Sequence, residues 1–502
     1  MKNDICISIN HNKPNSVDVL EGRYKLLLRG NIYTAVLGNV YSEKGKRINA
    51  EDIYALYTRY GKDVNTYLDG TYTVIIIDFN TQKSYVFQDL FGFNQSLYYY
   101  SDGERLLISN KLKSIIVNCK NNWKLNRKAA EAFLVRGYCP GKQTLIDGIF
   151  KLDGRHFLEI DLKKYTVSRK KTPKGENPKK KITPEIYDSV VEAACVTSAH
   201  ERLAITVSSG YDSNYILHNL RKNFENEITA FCIGGAIGRN EIPDAIKICE
   251  GYDGVTLHTK LVDGTSLDKF PEIVYALEGA IYESGVFLQY ELARLVSSHG
   301  CENIILGECA DQVLNFEMYH PWGQLKNHLK YTFERLPGRI FKKIYFKPYK
   351  RVYDMASYIV IKKNGIMMNY FGVSPEYPYM RKAFYRTAEN AVAVGERKKE
   401  YHKMVIDGVL PEFVKTVLKK IGGATELKTL FIGDVTLEDI KNVCENSRFY
   451  VPKEFDDKFY AIDYLMKIIY LELFEKMFII SPEKYLADSF GGYGLEHFFP
   501  EI

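Results

Sequence analysis

The chain holds 502 residues, 46% apolar and 26% charged, with a net charge of +6. That length excludes a single small core and points to two or three domains of an ordinary globular protein, and the mild charge gives no footprint for nucleic acid. Nine scattered cysteines without a Cys-x-x-Cys exclude a disulfide framework or zinc site and fit a reducing, cytoplasmic compartment, and no run reaches the roughly 18 uncharged apolar residues of a membrane helix.

The opening "MKNDICISIN" lacks the apolar core of a signal peptide. Residues 1 to about 165 read as β-rich. "TYTVIIIDF", "KSYVFQDL", "SLYYYSDG" and "RLLISN" are short β-prone runs between Gly, Asn and Asp turns, and "INAEDIYALYTRYG" interrupts them with helical spacing. A Lys-rich stretch with two prolines, 163–181, reads as a solvated linker, with a docking patch for an acidic partner as the alternative. From about 183, strands alternate with helices. "RLAITV", "ITAFCIGG", "GVTLHTKLV" and "NIILG" are the strands; "DSNYILHNLRKNF", "EIPDAIKICEGY" and "FLQYELARLVSSHG" are the helices. That alternation implies βαβ units and a parallel sheet. Beyond 315 the text is mostly helical. It includes a basic-aromatic stretch, 338–351, that suits either a peptide cradle or a solvated helix, and "AIDYLMKIIYLELFEKMF", whose charges at helical spacing mark a core helix.

Ligands of open parallel sheets bind at the carboxyl ends of the strands. The loop "SSGYDS" leaves the strand ending at Val207 and opens a helix. Its small residues let backbone amides approach an anion, and Ser208 and Ser213 offer hydroxyls. Asp212 would repel a phosphate, and a magnesium ion between the two resolves the conflict. "NIILGECADQ" repeats the theme: an apolar strand runs into Gly307, Glu308 and Asp311, and a parallel sheet would bring Asp311 to the same metal as Asp212. A helix-capping loop and a helix-capping Asp are the plainer alternatives.

With these residues in view, the chain resembles the asparagine synthetase family, which includes β-lactam synthetases and lasso-peptide macrolactam cyclases. "SSGYDS" is similar to its Ser-Gly-Gly-x-Asp-Ser pyrophosphatase loop, and "GECADQ" to its Gly-Glu-Gly-x-Asp-Glu element. "FCIGGAIGRNEIPDAIKI" resembles its Phe-Ser-Ile-Gly-Phe segment with the following helix. "YPYMRKAFYR" and "KEYHKMVIDGVLPEFVKTVLKKIGG" match two later segments. "QDLFGFNQSLYYY" and "TLIDGIFKLDGRHFLEI" match two of its first domain. The resemblance implies an α/β and α+β architecture. An N-terminal-nucleophile-hydrolase-like antiparallel β-sandwich would occupy 1–165, a basic linker 166–182, and a parallel-sheet, adenine-nucleotide-hydrolase-like synthetase domain 183–502.

The chemistry implied is carboxylate activation with ATP and Mg²⁺. Val207, Ser208, Ser209, Gly210, Tyr211, Asp212 and Ser213 would cradle the nucleotide with Ile233, Gly307 and Lys420, and Asp212 and Asp311 would hold the metal. A carboxylate attacks the α-phosphorus to give an acyl-adenylate and pyrophosphate, and an amine then attacks the adenylate. Lys399 is the cation expected at the developing negative charge, with Lys398 as a register alternative. Glu308 would accept or orient the amine's proton, or else serve as a structural carboxylate at a helix start. Three departures stand out, one being that "GECADQ" keeps the Glu and Asp but ends in Gln312. The family glutaminase needs an N-terminal Cys, whereas here Met1 precedes Lys2 and Cys6 falls inside a strand, so the first domain should make no ammonia. Ser209 replaces a loop glycine and adds a Cβ where pyrophosphate would approach. The expected substrate is therefore a small molecule or peptide that carries its own amine, such as a lasso precursor served by leader-recognition and protease partners. An ammonia-dependent asparagine synthetase is the rival; a non-catalytic peptide-binding pseudoenzyme and a tRNA-modifying enzyme are the remaining alternatives.

Overall fold

The computed structural model describes residues 5–10, 12–13, 16–22, 26–42, 45–92, 96–119, 121–172, 183–198, 203–237, 240–314, 361–390, 398–418, 436–451, 458–482 and 484. Only the backbone is described at 21, 22, 198, 311, 312, 389, 390, 398, 399 and 459.

Up to residue 171 the described strands are β1 (Ile5–Asn10), β2 (Asp18–Gly22), β3 (Leu27–Arg29), β4 (Ile32–Ser42), β5 (Leu68–Asp78), β6 (Lys83–Gln88), β7 (Leu97–Ser101), β8 (Arg105–Ser109), β9 (Phe150–Leu152), β10 (His156–Asp161) and β11 (Thr166–Lys171). They form two antiparallel sheets, ordered β2-β1-β8-β7-β9 and β11-β10-β6-β5-β4-β3. The period-2 alternation of strands sorts their side chains. Ile5, Ile7 and Ile9 of β1 meet Ile75 and Ile77 of β5, Val86 of β6, and Leu158 and Ile160 of β10 in one buried layer. On the outer face of the second sheet, Val74, Ile76 and Phe87 pack with Ile53 and Tyr57 of the helix Ala50–Tyr60. Asn49 caps that helix and forms a reciprocal capping box with Asp52.

The Lys-rich stretch begins inside this sandwich. Residues 166–171 pair with β10 as an edge strand rather than starting a linker; alternate residues are half-buried, and the Lys and Arg residues lie on an edge where charge discourages further pairing. The remainder, 173–182, lies outside the described residues.

The second half is built on β12 (Leu203–Thr206), β13 (Ile228–Gly235), β14 (Val255–Val262), β15 (Asn303–Ile305) and β16 (Ser374–Glu376). All neighbours are parallel, in the order β14-β13-β12-β15-β16. Four of these strands and the helices Tyr211–Asn223, Ile242–Glu250 and Val286–Ser298 match the alternation in the sequence. The fifth, β16, does not: it has three residues with Pro375 in the middle, which an edge position tolerates. The helix Lys458–Glu475 packs Phe474 and Tyr470 into the core, and among the described residues no helix is long and apolar enough to cross a membrane.

Side chains from the second half reach into the first. Glu278 Oε2 accepts from Leu112 N at 2.8 Å, at the start of the helix Leu112–Asn118. Arg381 Nε donates to Asp69 Oδ2 at 3.0 Å, and Lys362 Nζ donates to the Gly92 carbonyl at 2.7 Å. The outer face of the first sheet, including Cys6, Tyr98 and Leu107, joins the same core as the parallel sheet.

Candidate functional site

β12 pairs with β13 on one side and β15 on the other, so the strand order reverses there. Chains leaving the carboxyl ends of β12 and β15 diverge around a crevice at such a switch point. The two sequence motifs are the segments that leave there. The amide of Val207 donates to the Phe231 carbonyl at 2.9 Å and carries the pairing one residue past β12. Ile233, two residues on from Phe231 in β13, is half-buried. Gly307 packs directly on the first loop: a Cβ there would stand 2.7 Å from both Ser213 N and Ser213 Cα. Only glycine permits that approach.

The loop is braced by its own polar atoms. Ser208 Oγ accepts from Gly210 N at 3.1 Å and lies 3.0 Å from Ser213 Oγ, which accepts from Ser208 N at 3.3 Å. Asn214 Nδ2 donates to the carbonyls of Ser208 and Gly210, at 2.8 and 2.7 Å. The helix Tyr211–Asn223 starts at an extended Gly210, which has no side chain to cap its first-turn amides. That is the arrangement an anion satisfies. Ser209 is fully buried and its hydroxyl donates to Glu241 Oε1 at 3.0 Å. Its Cβ is thus spent inward on a hydrogen bond, and the backbone there has no left-handed φ. The Tyr211 ring has Lys403 Nζ 5.4 Å from its centroid.

Asp212 is held at two points, its side chain and its backbone carbonyl. His402 Nε2 lies 2.6 Å from Asp212 Oδ1, the other ring nitrogen of His402 lies 2.8 Å from Tyr187 Oη, and Tyr379 Oη donates to the Asp212 carbonyl at 3.2 Å. The backbone of Asp311 follows Gly307 within the short helix Ala310–Val313, and that of Lys399 lies in the helix Lys398–Asp407. The side chains of both, and all of Lys420, lie outside the described residues. The proposed meeting of Asp212 and Asp311 therefore rests on the backbone convergence of their loops. Among the described residues, no group of three His, Cys, Asp or Glu side chains could hold a metal by itself. A magnesium ion that arrives with phosphate oxygens needs only one or two carboxylates, and Asp212 fits that demand.

Glu308 forms a second cluster. Asn364 Nδ2 donates to its Oε2, and the neighbouring Lys363 is paired with Glu283. Burial pushes the Glu308 carboxyl up to about 7, against the opposing pull of Lys363 and the Asn364 hydrogen bond. Asn364 is fully buried, and among the described residues its Oδ1 has no hydrogen-bond partner. Cys309 sits at φ 77°, a left-handed conformation that costs a side-chain-bearing residue about 1–2 kcal/mol. Strain of this kind collects at functional sites.

Family models match both halves of the chain. The asparagine synthase model matches residues 185–393, and the glutamine amidotransferase domain model matches residues 13–171. The chain belongs to the asparagine synthetase family. Among similar proteins, putative asparagine synthetase [glutamine-hydrolyzing] 2 of Methanocaldococcus jannaschii is 27% identical over 43% of this chain and 42% of that protein. The microcin J25-processing protein McjC of Escherichia coli is 22% identical over 60% of each. The matches thus span less than two thirds of either relative. A solved glutamine phosphoribosylpyrophosphate amidotransferase from B. subtilis overlaps 52% of this chain and 75% of its own at a TM-score of 0.23 and 10% identity, too slight a likeness to build on.

As a family member, this asparagine synthetase-like chain departs at Cys309, where the resembled element carries glycine. The left-handed φ supplies the reason for that glycine, so the Gly-to-Cys change was a readable signal of strain. His402, Tyr187, Lys363 and Asn364 carried no such signal, because only the tertiary fold brings them to the loops. In the first half, Cys6 sits mid-strand between β2 and β8, fully buried beneath the helices that follow β8.

Proposed function

We propose that this chain is an ATP-dependent ligase that forms amide bonds through a carboxyl-adenylate, releasing AMP and pyrophosphate, with a synthetase unit from 183 to 502 and an amidotransferase-like unit that does not release ammonia. The observation that carries the reading is the uncapped, self-braced loop Ser208–Ser213 locked against Gly307 at the sheet's switch point, with a near-neutral carboxyl at Glu308 on the next residue.

The proposed roles draw on the placement of the loop and, for Asp311, Lys399 and Lys420, on the family resemblance alone. First-turn amides of the helix Tyr211–Asn223, with Ser208 and Ser213, receive the pyrophosphate oxygens. Val207 and Ile233 border the adenine, and Lys420 assists the phosphates. Asp212 and Asp311 would hold Mg²⁺, which when bound would supply neutralisation of phosphate charge while the substrate carboxylate attacks. Lys399 stabilises the charge that grows as the amine attacks the acyl carbon. Glu308, whose carboxyl burial pushes up to about 7, takes the proton from the attacking amine in its ionised form, and Asn364 Oδ1 beside it offers an acceptor for a second N–H.

Cys6, buried in a strand with both edges paired, supports an amidotransferase-like unit without glutaminase chemistry. An amine carried by the substrate then serves as nucleophile. The likeness to the microcin-processing protein favours a peptide substrate, and so a macrolactam-forming or other natural-product cyclase working with a precursor peptide and separate leader-recognition and protease proteins in the cytoplasm. The likeness to the putative asparagine synthetase favours, second, aspartate with ammonia. The test incubates the protein with Mg²⁺, ATP and candidate peptides, with aspartate plus ammonium in parallel. A peptide product lighter by one water, absent with Lys399→Ala, supports the cyclase; asparagine as the sole product supports the second reading; no amide from any arm contradicts both.

A further inference from the structure

The helix Lys398–Asp407 touches the loop through His402, a residue whose part in the site nothing in the sequence motifs announces. His402 is 4% exposed, and its two ring nitrogens reach two different elements: Asp212 Oδ1 at 2.6 Å and Tyr187 Oη at 2.8 Å. Tyr187 is itself fully buried, and burial raises its phenol far above the ordinary range, so it meets the ring as a neutral O–H. Two cases exhaust the proton placements that avoid a bare ring nitrogen facing the carboxylate. If the imidazole is neutral, Tyr187 donates to Nδ1 and the proton sits on Nε2. If it is charged, both nitrogens carry protons and the Tyr187 oxygen accepts. In both, Nε2–H donates to Asp212 Oδ1.

We propose that His402, oriented by Tyr187, is a positioning residue that claims one oxygen of Asp212 and fixes the other, Oδ2, as the oxygen presented to the nucleotide-borne Mg²⁺. The assignment rests on the nucleotide reading of the loop and adds to it how the metal ligand is aimed. A carboxylate at a helix start can rotate about χ2 and offer either oxygen. The His402 bond removes that freedom before the metal arrives, while Tyr379 Oη pins the backbone of the same residue. Hydrogen-bond partners behind a metal ligand typically contribute 10–100-fold to metal affinity.

The test follows binding of a non-hydrolysable ATP analogue by titration calorimetry at increasing Mg²⁺, with and without chelator, for the full chain and for His402→Ala, His402→Gln and Tyr187→Phe. Near-UV circular dichroism checks the fold of each. The expected result is a 10–100-fold rise in the Mg²⁺ needed for half-maximal analogue affinity in His402→Ala, recovery to within several-fold in His402→Gln, whose amide keeps a donor, and a smaller rise in Tyr187→Phe, with metal-free analogue affinity unchanged throughout. A folded His402→Ala with the native Mg²⁺ dependence overturns the proposal. So does an equal loss with and without metal, which marks a merely structural role. If the native chain binds no analogue at all, the nucleotide reading itself fails. If His402→Ala does not fold, the Gln and Phe variants decide: His402→Gln near native with a shifted Tyr187→Phe supports the proposal, and a Tyr187→Phe curve that overlays the native one contradicts it.

Discussion

Residue 309 concentrates the local physics of the site. Cys309 occupies a left-handed φ of 77° between Glu308 and the helix that carries Asp311, and it is 4% exposed. Truncating a buried side chain ordinarily destabilises, but glycine relieves about 1–2 kcal/mol of backbone strain here. Cys309→Gly should therefore hold its stability or gain up to about 1 kcal/mol in urea unfolding; a loss larger than that would show that packing of the thiol outweighs the strain. Next to it, Glu308→Gln keeps the shape and removes the proposed base. Amide formation should fall on the order of 10²–10⁴-fold while nucleotide binding stays near native. An equal loss of binding would instead make Glu308 part of the cradle. Both loops were legible in the sequence because strand, small residues and acidic residue follow one another within ten positions. His402, Tyr187 and Asn364 were not, because the contact that gives each its meaning spans 190, 215 and 56 positions.

Elements were legible to the degree that their signals were local. Four of the five parallel strands announced themselves as apolar runs followed by helices, while β16, three residues long with a central proline, takes its strand character from pairing with β15. That short strand carries Glu376, which is 1% exposed and whose carboxyl burial pushes up to about 7, with Arg381 pulling the other way. Lys362, buried against Gly92, is pushed down to about 7. The two act in opposite pH windows. Between roughly pH 4.5 and 7 the folded Glu376 keeps a proton that the unfolded chain has released, so its contribution to stability falls as pH rises. Between roughly pH 7 and 10.5 the unfolded chain holds a proton that folded Lys362 has lost, so stability rises with pH there. Glu376→Gln should flatten the first slope and Lys362→Met the second in denaturation curves taken across pH. Slopes unchanged in both variants would contradict these burial-driven shifts. Glu278 offers a separate measure of how the halves hold together. Its carboxylate accepts the Leu112 amide at a helix start across the interface, so Glu278→Ala should cost about 1–2 kcal/mol, as loss of a helix cap does. A change within a few tenths would mean that water replaces the bond.

At the scale of the whole molecule, an antiparallel sandwich and a parallel sheet share one apolar core, and ion pairs and lysine contacts pass between them. The division of the sequence into a β-rich part and an alternating part foretold both sheets; the edge strand at 166–171 was hidden by its lysines, which suit a solvated edge as well as a linker. The proposed scaffold role of the sandwich rests on Cys6, which is buried in the shared core. Supplying glutamine should release no glutamate, and Cys6→Ala should leave amide formation intact. Release of glutamate that Cys6→Ala abolishes would reverse that reading. The proposed function has the loop at the switch point receive a departing pyrophosphate, and so requires ATP to be cleaved between its α- and β-phosphates. The most direct measurement is the nucleotide product formed from α-labelled ATP in the presence of Mg²⁺ and a panel of carboxylate-bearing peptides, with Asp212→Asn as control. The account predicts AMP and pyrophosphate in step with amide, lost in the variant; ADP and phosphate as the products would contradict it.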